Sequence, residues 1–170
     1  GLASVVRELW NAAYTGHDTL EILLELIWLT PLPDCADLAL LAVQDSSLDI
    51  GHLTFAGRGV LASGTSAQKS VLKSMCLAGS LPEAVIRYLL PDLFPDVMDP
   101  EEFWGLVDGM TELPNTVHGL GYAVLCAVKG QGLSVAERIV LRDRFTDAVW
   151  SSRTPESRMY GAWSTCDHYL

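Results

Sequence analysis

Basic residues are scarce: 11 Lys and Arg stand against 21 Asp and Glu, a formal net charge of −10. A nucleic-acid backbone is held by clustered Lys and Arg that displace counterions, and an anionic membrane surface asks for the same clusters. Neither is an expected partner. The shortage is sharpest at the front, where residues 1–50 carry eight Asp or Glu and one Arg. That imbalance permits a basic partner, although a solvated acidic face that keeps the chain soluble is the plainer reading. Paired cysteines are also missing. Cys35, Cys76, Cys126 and Cys166 show no C-x-x-C spacing, and Cys76 and Cys126 fall within apolar helical patterns, where a free thiol acts as a small hydrophobe. The expectation is a cytoplasmic protein with reduced thiols. No long uncharged apolar run is present either. The stretch LEILLELIWL is broken by Glu21 and Glu25 and is too short to span a bilayer. No segment joins a basic start, an apolar centre and a small-residue cleavage site.

What is there is a repeat. Hydrophobic residues make up 49% of the 170 positions and charged residues 19%, which is ample for one core and suits a single domain over residues 1–170. Three segments align at offsets of 33 and then 32 residues through the connectors Ser47-Leu48-Asp49, Ser80-Leu81-Pro82 and Glu112-Leu113-Pro114. Each connector separates two apolar stretches of helical period, with no alternation of period two. A period in this range marks stacked helical hairpins, each burying its apolar face only against its neighbours. The first residue is Gly1 rather than Met, and a piece of a longer polypeptide is expected.

Local signals place nine helices near residues 3–14, 18–29, 34–45, 49–62, 66–79, 82–90, 100–111, 114–129 and 135–151. Asp18 and Ser134 are cap candidates, and Ser66 opens the fifth helix. Asp99-Pro100-Glu101-Glu102 combines a cap, a first-turn proline and acids beside the positive dipole end. Pro91 is read as ending the sixth helix, with Leu93 and Phe94 tucked back into the core. Equivalent positions (Val71 with Phe103, Met75 with Val107, Leu53 with Ile86, Val85 with Val117) are expected to line one seam between layers. Gly57 and Gly59 lie mid-helix, where glycine costs about 1 kcal/mol against alanine. Close backbone approach between layers offsets that cost.

The region from about 35 to 110 resembles the HEAT-like repeats of bacterial NTPases of the NACHT/STAND type. The likeness rests on Asp49, Ala56, Arg58, Val60 or Leu61, and Gly64 in the second helix of a unit, and on Leu81-Pro82-Glu83 and Leu93-Phe94-Pro95. Gly57 and Gly59 depart from it, since that family has Ala or larger aliphatics there. The resemblance implies a right-handed α-solenoid within the C-terminal sensor arm of a signalling or defence ATPase. The nucleotide machinery would then lie outside this chain, which has no G-x-x-x-x-G-K-[ST] loop.

Catalytic signals are incomplete. Ser66-x-x-Lys69 and Ser70-x-x-Lys73 match a serine–lysine pattern, but its S-D-N and K-T-G companions are missing. The glycines around Arg58 and Leu120 sit in helical patterns, not at the strand-to-helix turn a dinucleotide requires. Cys166 and His168 fall short of a four-ligand zinc set, and His17, His52 and His118 are scattered. Glu21 and Glu25 share a helix face that reads as solvated. No cofactor, metal or catalytic residue is expected. Trp150, Tyr160, Trp163 and Tyr169 crowd the chain end and suit a cap or a stacking surface. The expectation is a non-catalytic interaction or ligand-sensing scaffold, all-α, whose outward second-helix residues Thr54, Arg58, Arg87, Asn115 and His118 contact a protein partner or adjacent repeats. The alternative is a stand-alone acidic immunity or inhibitor protein that masks a basic partner.

Overall fold

A computed structural model describes residues 1–13, 16–110 and 133–151. Every regular element among them is helical: α1 (Leu2–Ala13), α2 (His17–Leu29), a 3-10 turn (Pro33–Cys35), α3 (Ala36–Val43), α4 (Ile50–Ser63), α5 (Ser66–Leu77), α6 (Glu83–Leu93), α7 (Pro100–Asp108) and α8 (Val135–Ser151). The helix expected near 114–129 lies outside the described residues. None of the described helices is long and apolar enough to cross a membrane. The chain divides into two compact units, Gly1–Leu89 and Leu90–Leu170.

In the first unit α4 is the central helix. It packs mainly on α2 and α3, with a smaller contact to α5. Leu53, Ala56, Val60 and Leu61 of α4 meet a core supplied by Leu20, Leu23, Leu24 and Ile27 of α2 and by Leu38, Ala39, Ala42 and Val43 of α3, all buried. Two glycines make this possible. A Cβ on Gly57 would lie 2.6 Å from Leu89 Cδ1, while one on Gly59 would lie 3.2 Å from Ala39 Cβ and 3.3 Å from Ile27 Cγ2. Positions two apart point to nearly opposite sides of a helix. Gly57 therefore admits α6 on one side and Gly59 admits α2 and α3 on the other, which is the close approach expected from sequence. The end of α4 is tied down by Ser63, whose Oγ donates to the Ile27 carbonyl at 2.9 Å and accepts from the Leu32 N–H at 2.8 Å. Buried hydroxyls need partners, and this one has two.

Caps fix the helix starts. Asp49 accepts from the His52 N–H, which sets the start of α4. Thr65 and Gln68 close a reciprocal capping box on α5, so the cap sits one residue before the Ser66 expected to start the helix. Asp18 lies inside the first turn of α2, and the cap position is Gly16.

In the second unit the core is aromatic. Phe94, Phe103 and Trp104 are buried with Leu93, Met98 and Val107, and the Phe94 and Phe103 ring centroids are 4.6 Å apart. Asp99 and Glu102 close a capping box with Pro100 in the first turn, as the sequence predicts. Ser134 and Glu137 form the equivalent pair before α8, the Ser134 N–H donating to Glu137 Oε2 at 2.7 Å.

Two expectations need correction. Helix α6 continues through Pro91 to Leu93. Proline removes one N–H from the ladder, and the turn survives because Leu90, Leu93 and Phe94 are buried around it. The inward positions of α5 are also off by one residue. Val71 is 40% exposed and Met75 half-buried, while Leu72 and Cys76 are fully buried. One residue turns the helix by about 100°, so Leu72 and Cys76, not Val71 and Met75, are the inward counterparts of Phe103 and Val107. Leu53, Ile86 and Val85 are buried as expected, and Val117 lies outside the described residues.

Candidate functional site

The outward positions expected from sequence divide three ways. Thr54 and Arg87 do occupy matching places at an offset of 33, but both are buried, 7% and 6% exposed. Each has found a partner one helical turn back. Thr54 Oγ1 donates to the Ile50 carbonyl at 2.7 Å. Arg87 Nη2 donates to Glu83 Oε1, which leaves Arg87 Nε with no hydrogen bond among the described residues. A local acceptor at i−4 lets a polar side chain stay inside, which a polarity pattern alone does not reveal. Arg58 is half-exposed, as a surface position should be. Asn115 and His118 lie outside the described residues.

Arg58 is the hub of a cluster that spans three helices. Its guanidinium carbon sits 4.6 Å from the Trp28 ring centroid, and its Nη2 lies 3.4 Å from the Tyr88 carbonyl oxygen. Trp28 in turn meets Phe55, with ring centroids 5.9 Å apart and a tilt of 34°. Trp28 and Phe55 are half-buried and Tyr88 is exposed. The three contacting side chains come from α2 and α4 and the Tyr88 main chain adds α6, so one cation links three helices at their surface. A guanidinium over an indole gains about 0.5–2 kcal/mol depending on desolvation. The cluster therefore braces the fold and also offers aromatic faces outward.

Sequence reasoning missed Trp28, Phe55 and Tyr88. Phe55 and Tyr88 are 33 residues apart, the offset of the repeat itself, and each directly follows one of the two positions chosen as outward. An aromatic at equivalent places in consecutive units was the signal. Trp28 carried none, because it sits in the apolar run of α2.

A shallow groove of about 500 Å³ lies between α1, the 3-10 turn and the start of α5, lined by Ser4, Arg7, Asp34, Asp37, Thr65 and Gln68 among others. Arg7 donates to the Asp34 carbonyl and, at 2.5 Å, to Asp37 Oδ1. The hydrogen bond to Asp37 is the main reason the Arg7 pKa is raised, so the cation is already committed within the groove. His52 is buried, and its Nδ1 is 2.8 Å from Asp49 Oδ1. The backbone and side-chain hydrogen bonds from His52 hold the Asp49 carboxyl below the usual range. That histidine completes a helix start. Among the described residues, no group of three or more His, Cys, Asp or Glu is arranged to hold a metal ion.

The two described thiols are inert by burial. Cys35 Sγ is 3.5 Å from the Ala3 carbonyl, and desolvation raises its pKa. Desolvation pushes Cys76 up to about 12. A thiolate is the nucleophilic form, so neither is primed for attack. Ser66 and Ser70 of the serine–lysine matches lie on the exposed side of α5, and Gly57-Arg58-Gly59 lies inside α4, with no strand before it. No family model, curated protein or solved structure matches this chain.

Proposed function

We propose that this chain is a non-catalytic protein-interaction or ligand-sensing segment, built as a right-handed HEAT-like solenoid and serving as part of the repeat arm of a larger bacterial signalling or defence NTPase. The observation that carries the reading is the Trp28–Phe55–Arg58–Tyr88 cluster, shared by three helices that each close a hairpin. Aromatic residues and arginine are the side chains most favoured at the centre of interfaces, the aromatics because they offer large contact area at low entropic cost and arginine because its planar guanidinium stacks and forms several hydrogen bonds. The glycines of α4 support the layered arrangement, since they face one neighbouring helix on each side.

The test is site-specific photo-crosslinking of the parent protein in its native cells, with the crosslinker at Tyr88 or, as a control, at exposed Gln44. The expected result is a discrete crosslinked product from position 88, missing at position 44 and lost when Arg58→Glu is added. Identical products from both positions, or a position-88 product indifferent to Arg58→Glu, would remove the basis for this reading.

A further inference from the structure

The outer side of the first hairpin is a second surface, separate from the aromatic cluster. On α1, Arg7 reaches toward the 3-10 turn and α3, and Val6 and Trp10 are buried. Leu2, Val5 and Leu9 lie on the side of the helix away from Arg7 and are 43%, 49% and 44% exposed. On α2, the Leu20, Leu23, Leu24 and Ile27 side is buried against the core that includes α4. Ile22 and Leu29 lie on the opposite side, 56% and 62% exposed, with half-buried Leu26 between them. The α2 stripe looks away from the core, the α1 stripe lies about a quarter-turn round its helix from buried Val6 and Trp10, and α1 packs on α2. Together they put five exposed apolar side chains on two packed helices, and exposed apolar surface of this kind marks interaction sites.

Its margins are acidic. Asp18, Glu21 and Glu25 follow the α2 stripe along one flank, and Glu8 borders the α1 stripe. None of these four carboxylates is engaged in an ion pair among the described residues. They sit in the part of the chain where acids outnumber bases eight to one. A second copy meeting this face through its own would bring carboxylates against carboxylates, which costs energy. A partner with Lys or Arg along the edges of an apolar ridge would meet leucines with its ridge and carboxylates with its edges, the helix-in-groove mode of recognition. We infer that the outer face of α1 and α2 docks a basic amphipathic helix of a partner protein, held by burial in the centre and by charge at the rim. The surface is independent of the cluster around Arg58, so either assignment can fail without the other.

Fluorescence anisotropy with the full chain tests this. The probes are two labelled helical peptides of about 18 residues, long enough to cover both stripes. They share one Leu/Ile ridge and differ only in flanks of Lys or of Glu. The Lys-flanked peptide should bind about tenfold or more tighter than the Glu-flanked one and weaken as salt is added. Leu9→Asp combined with Ile22→Asp should abolish binding, while Gln44→Ala, at an exposed position outside both surfaces, should leave it unchanged. Because the substituted positions are exposed, the variant should keep its helical circular dichroism. A second variant, Glu21→Lys with Glu25→Lys, should invert the peptide preference without touching the apolar face. Equal affinity for the two peptides overturns the inference. So does binding that survives Leu9→Asp with Ile22→Asp, or that is lost with Gln44→Ala instead. A self-associated chain that dissociates on Leu9→Asp with Ile22→Asp also overturns it, because the face would then cover itself, and so does a parent protein in which a preceding hairpin already shields Leu9 and Ile22 from surface labelling.

Discussion

Gly57 in the first unit and Gly105 in the second both sit inside helices, and they are there under opposite constraints. Around Gly57 the space is taken, by a Leu89 side chain that is fully buried and has little room to retreat. Around Gly105, no atom of the described residues outside its own helix backbone lies within 4 Å of where a Cβ would stand. The first unit packs by bringing backbones close, with glycine on two sides of one central helix. The second packs by filling space with Phe94, Phe103 and Trp104. The same residue type is thus required in one unit and only tolerated in the other. A mid-helix glycine in a repeat protein is informative only once its neighbours are known.

Three perturbations sharpen that contrast. The largest effect is expected at Arg87, next to the tight contact. Arg87→Glu would put a second carboxylate one turn from Glu83, at a position 6% exposed beside a partner that is 37% exposed. Burying an unpaired carboxylate costs about 3 kcal/mol, the lower end of the range for a buried pair because Glu83 keeps part of its hydration, so denaturant titration should show a strongly lowered midpoint. The buried position also explains why this residue cannot serve as a surface contact. Next are the two glycines themselves. Gly57→Val should lower stability by about 1–3 kcal/mol, since overpacking outweighs any gain in helix propensity. Gly105→Ala should instead raise it by about 0.4–1 kcal/mol, read from the same titrations. Equal signs at the two positions would erase the distinction between the units.

The smallest effect concerns pH. The folded Cys76 thiol is raised from 9.0 to about 12, so the folded state holds a proton that the unfolded chain releases first. Its contribution to stability is therefore complete below about pH 9 and declines as pH rises toward 12, with a slope of at most about 1.4 kcal/mol per pH unit. Cys76→Ala should flatten that decline, measured by urea midpoints between pH 8 and about 10.5. In the native state, site-resolved mass spectrometry should find Cys76 unalkylated by iodoacetamide at pH 8.

Much of the fold was legible in sequence, and the errors share one cause. Boundaries set by local chemistry were readable: Asp99-Pro100-Glu101-Glu102 announces α7, and Ser134 announces α8. The hairpin period was readable because Leu53 and Ile86 recur at the repeat offset and are both buried. Facing was less readable. Helix α4 has neighbours on several sides, so its pattern carries no clear outward stripe, and a rule that sends polar residues outside failed at Thr54 and Arg87. Both satisfy their polar atoms through the residue four places earlier, Ile50 and Glu83. The aromatic cluster needed coordinates for another reason. Trp28 joins Arg58 and Phe55 only through the packing of α2 on α4, and no spacing within the chain encodes that contact.

Helix α4 is the element around which the first unit's layers close. Native-state hydrogen–deuterium exchange measures this directly, since amides open with free energies that follow local burial. Amides from Leu53 to Ser63 should be the slowest to exchange in the chain, slower than those of α7, despite three glycines within α4. Exchange along α4 as fast as along α7 would contradict it.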